Sequence, residues 1–140
     1  MQSPVVKVPE SVVVPPSFLQ KIIDQAEAAA PNECCGVLGG KGSVVTSVYP
    51  IENDLCAPDR FNGNPEALFC AVRKMRKANE DMIGVFHSHP SSPPTPSQRD
   101  REDNHYPGLF YFIISLASDE PEVRCYVMTD EGEFESVSMI

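Results

Sequence analysis

Two histidines separated by one residue, His87-Ser88-His89, and an aspartate beyond a proline-rich run, Asp100, are the residues whose types and spacing can do chemistry. Two imidazoles and one carboxylate, with a coordination position left open, form a catalytic rather than a structural zinc site. The elements around them must bring them together. Met82-Ile83-Gly84-Val85-Phe86 is apolar and β-prone, so a strand is expected to end at the two histidines. Alternation along it puts both imidazoles on one face and Ser88 on the other. Pro90, Pro93, Pro94 and Pro96 cannot continue a strand or a helix interior, which predicts a stiff loop. Ser97 then reads as the N-cap of a helix with Asp100 in its first turn. A His-x-His pair or a Ser-x-x-Asp cap is common by itself; the signal lies in their combination and order.

These residues, with Glu33 leading into Cys34-Cys35-Gly36-Val37-Leu38-Gly39, resemble the signature of the JAMM (MPN+) metalloprotease family, which includes deubiquitinating and sulfur-carrier-processing enzymes. The resemblance runs from about Pro31 to Leu116. It implies an α/β fold in which residues 1–140 form one MPN domain, a mixed β-sheet with helices on both faces and an architecture like that of cytidine deaminases. It also implies one zinc ion per chain on His87, His89 and Asp100. Glu33 takes the role of general base and Ser97 that of hydrogen-bond donor to the oxyanion. Zinc there would lower the pKa of water from about 15.7 toward about 7. Glu52 and Asp54 are inferior candidates for the base, lying in a loop with no matching context. The implied reaction is hydrolysis of a peptide or isopeptide bond after the C-terminal Gly-Gly of a ubiquitin-like protein or sulfur carrier. Its extended tail would add to a sheet edge and enter a channel that only glycine fits. Two other readings are a non-catalytic MPN scaffold that binds partners and a small-molecule amidohydrolase. A scaffold has no reason to hold Glu33, His87, His89, Ser97 and Asp100 together. Deaminase chemistry is disfavoured, because neither His-x-Glu nor Pro-Cys-x-x-Cys occurs.

Composition narrows the partners. At 140 residues the chain is long enough to bury a core without disulfides, and 41% apolar with 22% charged residues is the balance of a globular protein. A net charge of −9 gives phosphate backbones no electrostatic footprint, so nucleic acid is not an expected partner. No stretch approaches the ~20 apolar residues of a membrane span and Met1 to Glu10 has no signal-peptide core; the cytoplasm is the expected compartment. Five cysteines without a Cys-x-x-Cys pair predict reduced, mostly buried thiols.

In chain order, a short strand over Ser11 to Val14 precedes a helix capped by Ser17 and running to about Ala30, with Phe18, Ile22, Ile23, Ala26 and Ala30 on its apolar face. Glu33 to Leu38 is expected as a strand, Gly39 to Gly42 as a turn and Ser43 to Ile51 as the paired strand. Glu52 to Asn64 reads as an exposed loop, with a short strand near Arg60-Phe61. Pro65 opens a helix to Asn79 with Leu68, Ala71, Val72, Met75 and Ala78 on one side. Arg73, Lys74, Arg76 and Lys77 form the other side, either a solvated face or a docking surface for an acidic partner. After the short helix at Ser97, His105 lies off the face of Asp100 and is a poor fourth ligand. Leu109 to Leu116 is a strand buried on both faces. Glu122 to Met128 and Glu133 to Met139 pair through a Thr129-Asp130-Glu131-Gly132 turn.

Overall fold

A computed structural model describes residues 9–51, 64–103 and 107–140. Residues 52–63 of the expected loop over Glu52 to Asn64, with Glu52, Asp54, Cys56 and the short strand near Arg60-Phe61, lie outside the described residues, and so does His105. The elements run β1 (Ser11–Val12), α1 (Pro16–Ala29), β2 (Cys35–Lys41), β3 (Val44–Ile51), α2 (Pro65–Lys77), β4 (Asp81–His89), α3 (Gln98–Asp103), β5 (Phe110–Ser115), β6 (Glu122–Met128) and β7 (Phe134–Met139). The strands form one mixed sheet in the order β1-β7-β6-β5-β4-β2-β3.

β4 lies inside this sheet, antiparallel to β2 and parallel to β5. Its register sets Cys35 opposite His87, with Ile113 and Ser115 beside His87 and His89. All six residues of β5 are buried, as its continuous apolar run requires of a strand covered on both faces.

The alternation of β2 and β4 sorts the core into two layers. On one face, Ile22 and Ala26 of α1 join Leu38, Phe86, Phe112 and Ile114. On the other, Ala71 and Met75 of α2 join Cys35, Val37 and Ile51. Helices therefore cover both faces; after a register shift that leaves Ile83 in the α1 layer, the odd-numbered residues of β4 from Val85 on, the two histidines included, share the α2 face. Gly36 is required where these layers meet: a Cβ there would run into the Phe86 ring and the Tyr49 carbonyl. The sheet also curls toward closure. Ser11 and Val12 pair with β7, whereas Val13 bridges to Val44 of the opposite edge strand, its N–H donating to Ser43 O at 2.7 Å and its carbonyl accepting from Val45 N at 2.9 Å.

Four local expectations need correction. Ser17 is not the N-cap of α1; Pro15 holds that position without a side-chain bond, because Pro16 fits the first helical turn and starts the helix two residues earlier. Glu33 and Cys34 precede β2 rather than opening it. Gly39 and Gly40 stay in the strand through a register shift, leaving the turn to Gly42, whose φ of +60° suits glycine. Finally, α2 buries only Ala71 and Met75, while Leu68 is exposed and Phe69 is 64% exposed with the Arg73 guanidinium 5.9 Å above its ring. Asn64, whose side chain accepts from the Ala67 N–H at 3.0 Å, caps that helix. Among the described residues, no helix is long and apolar enough to cross a membrane.

Candidate metal centre

His87 and His89 end β4 on one face of the sheet, both buried. Asp100 reaches them from the first turn of α3. Its Oδ1 is 3.1 Å from His87 Nε2 and its Oδ2 3.1 Å from His89 Nε2, while the two Nε2 atoms are 3.3 Å apart. Among the described residues, this trio is the group of His, Cys, Asp and Glu side chains placed to hold a metal ion, its donor atoms all within 4.8 Å of one another.

Two observations fit the trio to a zinc ion. Tetrahedral zinc with bonds of about 2.0–2.1 Å separates its ligand atoms by about 3.3 Å, the spacing seen here. His89 Nδ1 lies 2.7 Å from the Pro93 carbonyl, which can only accept, so Nδ1 carries the proton and Nε2 offers a lone pair. That lone pair faces a carboxylate oxygen, an arrangement that calls for a cation between them. Protonation is the alternative to a metal, and the electrostatics say as much. Burial disfavours a charged His89, yet the hydrogen bond to Asp100, the Pro93 carbonyl and the charges of Asp100 and Glu33 together raise its pKa. Burial likewise works against ionised Asp100, but its bonds to His87 and His89, the charge of His87 and the Ser97 N–H hold the carboxyl well below the usual range.

The sheet positions the histidines; a capping box positions the aspartate. Ser97 Oγ accepts from the Asp100 N–H at 3.0 Å, and Asp100 Oδ2 accepts from the Ser97 N–H at 2.9 Å. Ser97 itself is exposed, so its hydroxyl proton is free to point outward.

Glu33 is 6% exposed, and its charge acts on His89. Ser88 ties its segment to the histidine strand. The Ser88 N–H donates to Cys34 O at 3.1 Å, and Ser88 Oγ accepts from the Cys34 N–H at 2.8 Å. The residue between the two histidines, facing away from them, thus anchors the backbone next to Glu33. Burial pushes the Cys34 thiol up and Cys125 up to about 12, so both are protonated near neutral pH. Cys34, Cys35 and Cys125 are buried free thiols, whereas Cys70 is exposed.

The sequence reading brought forward all five residues of this region but missed Ser115 and Tyr126. The Ser115 hydroxyl donates to Ser92 O at 2.5 Å, and the Tyr126 hydroxyl donates to Pro94 O at 2.7 Å. Burial raises the Tyr126 pKa against the opposing charge of Arg124, with Cys125 and Glu122 adding to the rise, so the phenol stays a donor. No spacing signals either residue; strand register alone carries them to the loop.

The family profile described as prokaryotic homologs of the JAB domain matches residues 15–129. A desampylase of Haloferax volcanii is 35% identical over 102 residues, 71% of this chain and 73% of its own. A CysO-cysteine peptidase of Mycobacterium tuberculosis is 25% identical over 122 residues, 85% of this chain and 84% of its own. A solution structure of a Desulfitobacterium hafniense protein superposes with a TM-score of 0.83 at 34% identity, covering 92% of this chain and 91% of that one.

Proposed function

Since the chain belongs to the prokaryotic JAB-domain branch of the JAMM/MPN family, we propose that it is a zinc-dependent peptidase or isopeptidase cutting after the C-terminal Gly-Gly of a ubiquitin-like or sulfur-carrier protein. Its relatives named desampylase and CysO-cysteine peptidase support a JAMM-type hydrolase. The observation that carries the metal chemistry is the convergence of His87, His89 and Asp100, with their donor atoms spaced as zinc ligands. The relatives named desampylase and CysO-cysteine peptidase support the substrate class.

His87, His89 and Asp100 would hold the zinc. When bound, the ion supplies a Lewis acid that polarises the scissile carbonyl and acidifies the attacking water. Glu33 takes the water's proton as oxygen attacks the carbonyl carbon, and delivers it to the amine as the C–N bond breaks. Burial beside His89 suits Glu33 to that double role. Ser97 accepts from the Asp100 N–H and donates its own proton to the tetrahedral oxyanion. The Pro93 carbonyl holds His89 in the tautomer that presents Nε2.

The test uses a ubiquitin-like carrier extended beyond its Gly-Gly. Mass spectrometry should show trimming back to Gly-Gly, stopped by chelators and by replacing the last glycine with valine. Glu33→Gln should keep the zinc and lose hydrolysis by ~10²–10⁴-fold. Equal cutting of the valine-ended carrier would sink the tail reading, efficient hydrolysis of small amides would point to an amidohydrolase, and metal binding without hydrolysis would point to a scaffold.

A further inference from the structure

Four of the eight residues from Pro90 to Ser97 are prolines. The loop is therefore short of N–H groups, cannot zip itself into a regular element and must find donors for its carbonyls elsewhere. Three successive carbonyls find them in side chains of the sheet. Ser92 O takes the Ser115 hydroxyl of β5, Pro93 O the imidazole N–H of His89 on β4, and Pro94 O the phenol of Tyr126 on β6. The central bond of this clamp fixes the tautomer of a histidine in the metal centre, and the outer two hold the peptide units on either side of it.

We infer that Tyr126 and Ser115 are positioning residues of the metal centre, keeping the Pro93 carbonyl on His89 Nδ1 and so the Nε2 lone pair aimed at the ion. This rests on the reading of His87, His89 and Asp100 as zinc ligands. Neither hydroxyl needs to touch substrate or metal. Tyr126 is buried, with its ring in edge contact with Phe134 at 6.4 Å between centroids, so the ring is placed independently of its hydroxyl. Ser115 is 2% exposed and its Oγ also accepts from the Ala117 N–H at 3.2 Å, which fixes the hydroxyl's direction. The same loop ends at Ser97, whose N–H donates to Asp100 Oδ2, so a slack loop would loosen the carboxylate as well. Groups that orient ligands in this way typically account for about 10–100-fold in metal affinity.

The experiment measures zinc affinity by competition with a chelating dye, and the His89 tautomer by imidazole ¹⁵N NMR in the metal-free protein at alkaline pH, where the imidazole is neutral. Tyr126→Phe and Ser115→Ala are each expected to weaken zinc binding about 10–100-fold and to turn a single Nδ1–H tautomer into a mixture. Val127→Ala, which hollows the opposite face of β6 within the α1 core, is the control; it should lower the melting temperature yet keep affinity and tautomer. Wild-type affinity and a single tautomer in both hydroxyl variants would overturn the inference, as would a control that loses zinc as readily as they do. Should Tyr126→Phe fail to fold, Ser115→Ala decides. Failure of the wild type to bind zinc, or unchanged binding by His87→Ala, would refute the ligand reading instead, and the tautomer measurement would still judge the clamp.

Discussion

The two halves of the metal centre are built in different ways. His87 and His89 stand at the end of a strand that is paired with β2 along one edge and with β5 along the other. Asp100 stands on a six-residue helix reached through a loop rich in proline. Backbone ladders hold the first half and side-chain hydrogen bonds the second. Damage to the strand half should therefore cost the whole fold, whereas damage to the loop half should cost function first.

The largest effect expected on this view comes from Phe86→Ala. Phe86 is buried next to His87 and packs over Gly36, so its loss should cost about 3–5 kcal/mol in denaturant unfolding. A loss under about 1 kcal/mol would mean that the strand half is no stiffer than the loop. Ser88→Ala tests the tie between the halves of the chemistry. It leaves the buried Cys34 N–H without its acceptor at a cost of about 1–3 kcal/mol, and hydrolysis should fall further than stability explains because Glu33 loses its anchor. Comparing turnover with zinc content at a temperature where the variant is fully folded would separate the two.

Ser97→Ala belongs to the loop half and should do the reverse. A lost cap costs about 1 kcal/mol, while loss of an oxyanion donor should lower kcat about 10²–10³-fold with KM little changed. Steady-state kinetics on the extended carrier would decide it; a KM effect alone would assign Ser97 to substrate binding.

The smallest effect concerns Glu80, just before β4. Burial opposes its charge, but Thr46, Ser47, the Tyr49 hydroxyl at 3.1 Å and Lys41 together lower its pKa. A carboxylate depressed in the folded state stabilises above its unfolded pKa, near 4.3, and that stability disappears as pH falls through the folded value. Glu80→Gln should thus narrow the difference in melting temperature between pH 6 and pH 3 and change little at pH 3. An unchanged difference would mean that the cluster does not favour the ionised form.

What could be read in advance follows the same division. The strand ending at two histidines, the cap at Ser97 and the buried run of β5 are local patterns, with apolar alternation or fixed spacing to announce them. The bonds from Ser115 and Tyr126 to Ser92 and Pro94 are not local: they depend on which strands neighbour β4, and nothing within either segment encodes that. Glu33 was legible only by resemblance, since an acidic residue before a strand is ordinarily solvated. Leu68 and Val72 misled because helical spacing does not reveal which of two adjacent stripes turns inward; α2 chose Ala71 and Met75, the small residue and the flexible one, to approach β2.

The way residues 11–14 join both margins of the sheet has a consequence for how the chain reaches its native state. Ser11 and Val12 pair with Ser138 and Met139, so the first strand waits for the last. Until β7 is available, Val12 lacks its ladder partner Met139 and the curled sheet stays open at the seam. Contacts so distant along the chain make loop closure costly before it is rewarded and slow the search. Moving the chain ends by circular permutation, so that β1 directly follows β7, would turn this late long-range pairing into an early local one and should speed folding without altering the site.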